Sequence, residues 1–284
     1  MLLTGKEHIS YSELKTWLEC GWRHKLANID KLGTFDYTIY TDFGHVVHSA
    51  NEEFLKTRVM DTSKAMQELT VLWKERKYPE PGQTPGPDWP EWPSSVPDLQ
   101  YWLDSLEDCL NSLPAFMEKE FPGWEFVAAE EYILEKMDNS AASLKAYIDG
   151  IIKVKDKKGN YIYHIVDWKN TGSGGWQADK KREPDVLLQL VLYKIFWSKK
   201  HNIPLKDVRC HFVFLKRHDI SPKKRLKDRG SKRCDMMSVS VGPKTVEKAT
   251  KRLRNMLLTM TRGLFLKNRF NCKFCEFHKT PHCK

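Results

Sequence analysis

Asp149, Asp167 and Lys169 are placed where the sequence can bring them to one spot. The stretch LKAYIDGIIKVKDKKGNYIYHIVDWK, residues Leu144 to Lys169, has two runs rich in β-branched and aromatic residues around a turn cluster, Asp156 to Asn160. That pattern reads as a hairpin with a loop of about five residues. In a symmetric hairpin the numbers of opposing residues sum to 316, which sets Asp149 opposite Asp167 and leaves Lys169, two residues on, on the same face. Directly opposed side chains have Cβ atoms ~5 Å apart, where like charges are destabilising. Two carboxylates beside an ammonium therefore make a poor sheet stabiliser. They make a good cradle for a hard divalent cation, which prefers oxygen ligands. Asp-x-Lys occurs twice more, at Asp156-x-Lys158 and Asp179-x-Lys181, but neither follows an apolar strand or faces a second carboxylate.

The cysteines form a second group with chemistry. They are Cys20, Cys109, Cys210, Cys234, Cys272, Cys275 and Cys283. An odd number argues against a disulfide framework. Cys109 falls in an apolar helical stretch and Cys210 in a strand, so both read as buried thiols; Cys234 flanks a basic loop and reads as a bystander. Cys272, Cys275 and Cys283 differ, because Cys-x2-Cys is a chelating spacing and a tail gains order when a metal binds it. Four thiolates hold either zinc or a [4Fe–4S] cluster, and His278 and His282 keep a Cys3His zinc set in play. The residues alone leave those alternatives open.

The elements that must position these groups follow from periodicity. Ser10 and Glu13 form a capping box that opens a helix over Tyr11 to Ala27. Further helices are expected over Phe43 to Val59, Lys64 to Arg76, Leu99 to Phe121, Pro184 to Lys200 and Pro243 to Leu266, with no internal repeat. Seven of the 14 prolines lie between Pro79 and Pro97, with Trp89 and Trp92 among them, which marks an irregular insertion. Its tryptophans serve either as loop packing or as base-stacking surfaces. Strands are expected within Glu125 to Trp168, at Val208 to Leu215 and at Met236 to Val241, giving a mixed α/β chain.

Charge suggests the partner. The 284 residues hold 47 Lys plus Arg against 37 Asp plus Glu, a net +10. Nine cations (216, 217, 223, 224, 225, 227, 229, 232, 233) crowd the segment from Lys216 to Arg233 against Asp219 and Asp228 alone. The last helix adds Lys244, Lys248, Lys251, Arg252, Arg254 and Arg262. Two adjacent basic blocks favour nucleic acid over general solubility, with Lys223, Lys224 and Arg225 as phosphate contacts. No window approaches 18 uninterrupted apolar residues, so no membrane span is expected. The opening MLLTGKEHISYSELKTW has no charged and apolar leader pattern, so an intracellular, reducing, cytoplasmic setting is expected.

Taken together these segments resemble the PD-(D/E)xK nuclease superfamily, and in particular RecB and AddB nuclease domains and their CRISPR-associated relatives. Asp149 followed by IYHIVDWK carries the core of the resemblance. The helix ISYSELKTWLECGWRHK with Cys20, the His45–His48 segment with Glu52 and Glu53, the Gln189-x3-Tyr193 pair and the C-terminal cysteines agree in order, from residue 9 to residue 283. The resemblance implies an α/β, restriction-endonuclease-like core, a central mixed sheet flanked by helices, with the N- and C-terminal parts joined by a metal cluster. Its implied division is 1–125 (helical region, His motif and insertion), 126–242 (nuclease core) and 243–284 (last helix and cysteine tail). It implies Mg²⁺ or Mn²⁺ on His48, Asp149 and Asp167, catalysis by Lys169 with the two aspartates, and substrate contact by Gln189 and Tyr193. The family's acidic residue on the preceding strand falls on Glu131 in preference to Glu130. Cys20, Cys272, Cys275 and Cys283 would ligate a [4Fe–4S] cluster, zinc being the alternative. The implied activity is a deoxyribonuclease, an exonuclease on single strands or DNA ends in replication, recombination or repair. The alternative is a non-cleaving nucleic-acid-binding or assembly protein on the same fold.

Overall fold

The computed structural model describes residues 2–33, 37–78, 97–138, 140, 142–221, 223–224 and 232–283. Strands β2 (Glu125–Lys136), β3 (Ser143–Lys155) and β4 (Tyr161–Thr171) form an antiparallel meander. β5 (Val208–Lys216) adds parallel to β4, and β6 (Cys234–Val239) adds antiparallel to β5. A short β1 (His8–Ser10) pairs parallel with the start of β3, through Ser143 to Lys145. The sheet is thus mixed, with six strands among the described residues.

Each face is covered by helices. On one face α1 (Tyr11–Glu19), α7 (Pro184–His201) and α8 (Pro243–Thr261) pack on Ile148, Ile151, Ile165, Cys210, Phe212 and Phe214. On the other, α3 (Ile39–Thr57), α4 (Thr62–Glu75) and α5 (Leu99–Glu120) pack on Ile152, Val166, Trp168, Val213 and Leu215. The strand alternation serves both layers: β4 and β5 give Ile165, Cys210, Phe212 and Phe214 to one face and Val166, Trp168, Val213 and Leu215 to the other. Two short helices, α2 (Gly21–His24) and α6 (Ala178–Arg182), lie in the connections.

The β3–β4 hairpin has the expected register. Its pairs run from Lys155–Tyr161 to Gly150–Val166, every pair summing to 316. Pairing stops there, one rung short of Asp149 and Asp167. β1 takes up the same flank of β3 from Lys145 backwards, so β3 and β4 part in a fork. At the fork Asp149 Oδ2 accepts the Trp168 N–H at 2.8 Å, a side chain standing in for a ladder bond.

The first helix departs from the periodic reading. It ends at Glu19, because Cys20 is extended (φ −166°, ψ 117°), and the chain restarts as α2 and a π-helical turn, Lys25–Ile29. The tail imposes the break: Trp22 N–H donates to Leu266 O at 3.1 Å, and Asn268 donates to Glu19 O at 2.9 Å. A Cβ on Gly21 would lie 3.1 Å from the Leu266 nitrogen, so glycine eases the close approach of the two backbones. The last helix likewise ends at Thr261 rather than Leu266. The Pro79-to-Pro97 insertion, with Trp89 and Trp92, lies outside the described residues apart from Pro97.

A stacked imidazole pair spans β4 and β5. His164 Nδ1 and His211 Nε2 are 2.9 Å apart, and His211 Nδ1 meets Ser238 Oγ at 3.0 Å. Burial, then the Arg209 charge, holds His164 near pKa 4; burial, His164 and Arg209 hold His211 near 3. Both rings are neutral in the fold, whereas an unfolded histidine takes its proton near ~6.5. The stability they confer is full above that value and is lost as pH falls from it towards 4 and 3. Urea unfolding should register a loss on the order of 3 kcal/mol between pH 7 and pH 4, and His164→Gln should flatten that slope.

Candidate active site

The fork gathers the polar groups. From α3, His48 Nδ1 lies 3.5 Å from Asp149 Oδ2, and Asp149's side chain is 12% exposed. From β2, Glu130 completes a set: one donor atom each from His48, Glu130 and Asp149 lie within 4.8 Å of one another. Glu130 gets there through a kink. Its φ is +47°, and the β2–β3 pairing passes from Ala129–Gly150 to Glu131–Ile148 without a shift, so Glu130 stands opposite Asp149.

Glu131 is engaged elsewhere, which corrects the assignment made from the sequence. Its carboxylate accepts from Trp197 Nε1 and Lys200 Nζ, both at 2.8 Å, and contacts His201 Nε2 at 2.6 Å. Burial alone would raise its pKa, but these partners outweigh it and hold Glu131 below the usual carboxylate range. It ties β2 to α7 and is a structural residue.

Asp167 is fully buried and lies beside the donor set rather than within it. Its Oδ1 accepts from Gln189 Nε2 at 2.8 Å, and its Oδ2 pairs with the Lys169 ammonium. The Gln189 amide is shared: Oε1 accepts from Lys169 Nζ at 3.2 Å, and Nε2 also donates to Tyr193 Oη at 2.9 Å. Gln189 and Tyr193 stand four apart on one face of α7 and point into the fork together. Tyr193 is 7% exposed and backs Gln189. Gln189→Ala should lower kcat about 10- to 100-fold with little change in KM, because it frees Lys169 and Asp167 from their setting. A rise in KM alone would make Gln189 a substrate contact instead.

The electrostatics of the fork are those of crowded, buried acids. Burial, then the Asp167 charge, pushes Asp149 well above the usual carboxylate range. Burial, then Glu52 and Asp167, raises Glu130. Burial lowers His48, leaving a neutral imidazole with a lone pair to give. For Lys169 burial pulls down, but Asp167 and Asp149 win and hold the ammonium above the usual lysine range. A neutral nitrogen and two crowded carboxylates are the donor chemistry of a hard divalent metal.

The approach of α3 depends on Gly150. A Cβ there would stand 2.6 Å from Leu55 Cδ1, one helix face from His48. The missing methyl group leaves room for the Leu55 side chain of α3 against β3.

A family profile described as the PD-(D/E)XK nuclease superfamily matches residues 8–280. The chain belongs to the PD-(D/E)XK nuclease superfamily. A solved protein from Eubacterium rectale, provisionally described as an exonuclease, shares the fold at 12% identity and TM-score 0.53, over 95% of this chain and 86% of its own. SSO0001 aligns over 96% of this chain and 84% of its own, at 10% identity and TM-score 0.38, too distant to support an argument. No curated protein matches by sequence.

In this PD-(D/E)XK chain the four cysteines singled out from sequence line one cavity. Cys20, Cys272, Cys275 and Cys283 share it with Trp22, Leu26 and Phe277. Cys20 Sγ accepts the Asn268 N–H at 3.3 Å, and Arg23 reaches Glu276 at 2.8 Å, so the break after α1 is clasped to the tail. Cys109, Cys210 and Cys234 are buried.

The basic segment divides. Lys223 and Lys224 are exposed, and Arg225 lies outside the described residues. Arg217 stacks over Trp102 and Tyr40, each 4.8 Å away, and buried Arg233 donates to Arg217 O at 3.4 Å. Those two cations hold the fold together. No helix among the described residues is long and apolar enough to cross a membrane.

Proposed function

We propose that this nuclease is a divalent-metal-dependent deoxyribonuclease of the RecB/AddB type that degrades single strands or DNA ends from a terminus. The observation that carries the reading is the fork, where the His48, Glu130 and Asp149 donors meet beside the Asp167–Lys169 pair. The residues fit Mg²⁺ or Mn²⁺, which His48, Glu130 and Asp149 would hold with Asp167 beside them. Held by these residues, such an ion would supply Lewis acidity for the scissile phosphate and for a water. Lys169 then orients the nucleophile through its ammonium and offsets charge growing on the phosphate oxygens. Gln189 keeps that ammonium aimed, and Tyr193 keeps Gln189 in place. Lys223, Lys224 and Arg225 supply phosphate contacts away from the fork.

We further assign Cys20, Cys272, Cys275 and Cys283 to a [4Fe–4S] cluster. Among the described residues no three of these thiols fall within 4.8 Å of one another. One tetrahedral zinc at ~2.3 Å bonds needs closer sulfurs than that, whereas a four-iron cube suits a wider cavity. In this reading residues 1–125 bring the histidine and the first cysteine, 126–242 the catalytic fork, and 243–284 the remaining cysteines.

The test is cleavage of end-labelled single-stranded, duplex and closed circular DNA, and of RNA, with Mg²⁺ or Mn²⁺. Linear single strands should be shortened from an end and circles left intact, and Lys169→Ala should slow cutting about 10²- to 10³-fold without loss of binding. Equal cutting of circles would overturn the exonuclease reading. Binding without any metal-dependent cleavage would favour the non-cutting alternative.

A further inference from the structure

The connection from β4 to α7 carries three consecutive cations, Lys180, Lys181 and Arg182, which belong to neither of the two basic blocks. It is anchored by half-buried Trp176, whose ring packs on Phe212 at 5.1 Å and on Phe214 at 5.0 Å. Across the β4–β5 ladder Phe212 is the partner of Asp167, and Phe214 is the partner of Lys169. Alternation puts Lys169, Phe212, Phe214 and Lys216 on one face of the sheet, toward α7 and Gln189. The connection therefore runs alongside the fork.

Its lysines are held by rings. The Lys180 ammonium lies 4.8 Å from the centre of the Trp176 ring and the Lys181 ammonium 5.6 Å from that of Phe214. Lys169 itself stands 5.5 Å from the centre of Phe212. Among the described residues neither Lys180 nor Lys181 is in an ion pair. Asp179 and Glu183 flank them in sequence, but the Asp179 carboxylate accepts the Lys180 backbone N–H at 2.9 Å. On β6 the acid opposite Phe214, Asp235, pairs with Lys232 at 3.4 Å. A carboxylate cancels the charge of the lysine it holds, whereas an aromatic face positions an ammonium and leaves its charge intact. Ammonium groups presented in that way beside a phosphodiester site are complementary to the phosphates that adjoin the scissile one.

We infer that Lys180 and Lys181 bind the backbone phosphates next to the scissile one, with Trp176 as their positioning residue. Trp176 carries Lys180 on its own ring and packs on Phe214, the ring that carries Lys181. The inference rests on reading the fork as a nuclease site and names substrate contacts of that same site.

The experiment pairs metal-free binding of a fluorescent single-stranded oligonucleotide to the full chain with steady-state cleavage of the same strand in Mg²⁺. Lys180→Ala/Lys181→Ala should weaken binding at least about 10-fold, as loss of charge-assisted contacts does. Its salt slope should flatten by roughly 0.7 for each ammonium removed. KM should rise in step while kcat stays within about twofold, the signature of lost ground-state binding. Lys180→Arg/Lys181→Arg keeps both charges and should restore binding. Lys157→Ala/Lys158→Ala, in the exposed turn at the far end of the β3–β4 hairpin, removes the same charge and should leave slope and KM unmoved. Trp176→Leu should weaken binding about two- to five-fold, and Trp176→Phe should recover it. An unchanged slope in the Lys180/Lys181 alanine variant, an equal loss in the turn variant, or a fall in kcat at constant KM would overturn the contacts. Binding is read without cleavage, so that failure is distinct from a failure of the fork reading, which shows as a wild type that never cuts.

Discussion

Asp149→Asn should abolish metal-dependent cleavage, by at least about 10³-fold, and yield a metal-free protein that melts above the wild type. Asparagine keeps an oxygen for the Trp168 N–H. It removes a charge that burial and Asp167 both oppose. Asp167→Asn should be as inactive but not stabilised, because the Lys169 ammonium then loses its counter-charge. The asymmetry separates a cation cradle from an ordinary ion pair. Melting curves with and without Mg²⁺ check it: the ion should raise the wild-type transition and leave Asp149→Asn unmoved. Wild-type cleavage by Asp149→Asn would sink the assignment of the fork.

Cys272→Ser should be colourless and poorly soluble, with activity that falls in step with the folded fraction. A cluster across the tail cavity closes a loop of 251 residues between Cys20 and Cys272. The chain-entropy treatment of a cross-link puts such a closure at about 5 kcal/mol, comparable to the whole stability of many domains. The catalytic donors come from β2, β3 and α3 and do not share that cavity. Anaerobically purified wild type should be brown, with broad absorption near ~400 nm. One zinc per chain in a colourless preparation would replace the iron and leave the closure standing. A Cys20→Ser variant as stable as wild type would remove the closure itself.

The hairpin was legible because a turn of fixed length sets the pairing of every rung, and the Gly150–Val166 pair lies where the sum predicts. What the rule could not give was the parting of the strands one rung later, which depends on β1, a strand of three residues with no periodicity to read. Glu130 was passed over for Glu131 for a related reason. Alternation assigns faces only along regular extended backbone, and the left-handed conformation of Glu130 (φ +47°) cannot be read from its residue type. Tyr11 to Ala27 has good helical spacing, but the backbone at Cys20 is set by the distant Leu266–Asn268 segment. Lys194 reads in sequence as any helix lysine; only the packing of α7 on β5 makes it a buried one.

The missing methyl group at Gly150 has a bearing on ion choice. Mg²⁺ is small and demands bonds of ~2.0–2.1 Å, whereas Ca²⁺ accepts ~2.3–2.6 Å and a looser shell. Leu55, on the helix carrying His48, packs against the strand carrying Asp149 where a side chain at Gly150 would be. The separation of donors on two different layers is therefore linked to a contact in the apolar core. Discrimination against calcium would be a property of packing as much as of ligands, and a substitution that touches no ligating atom could retune it.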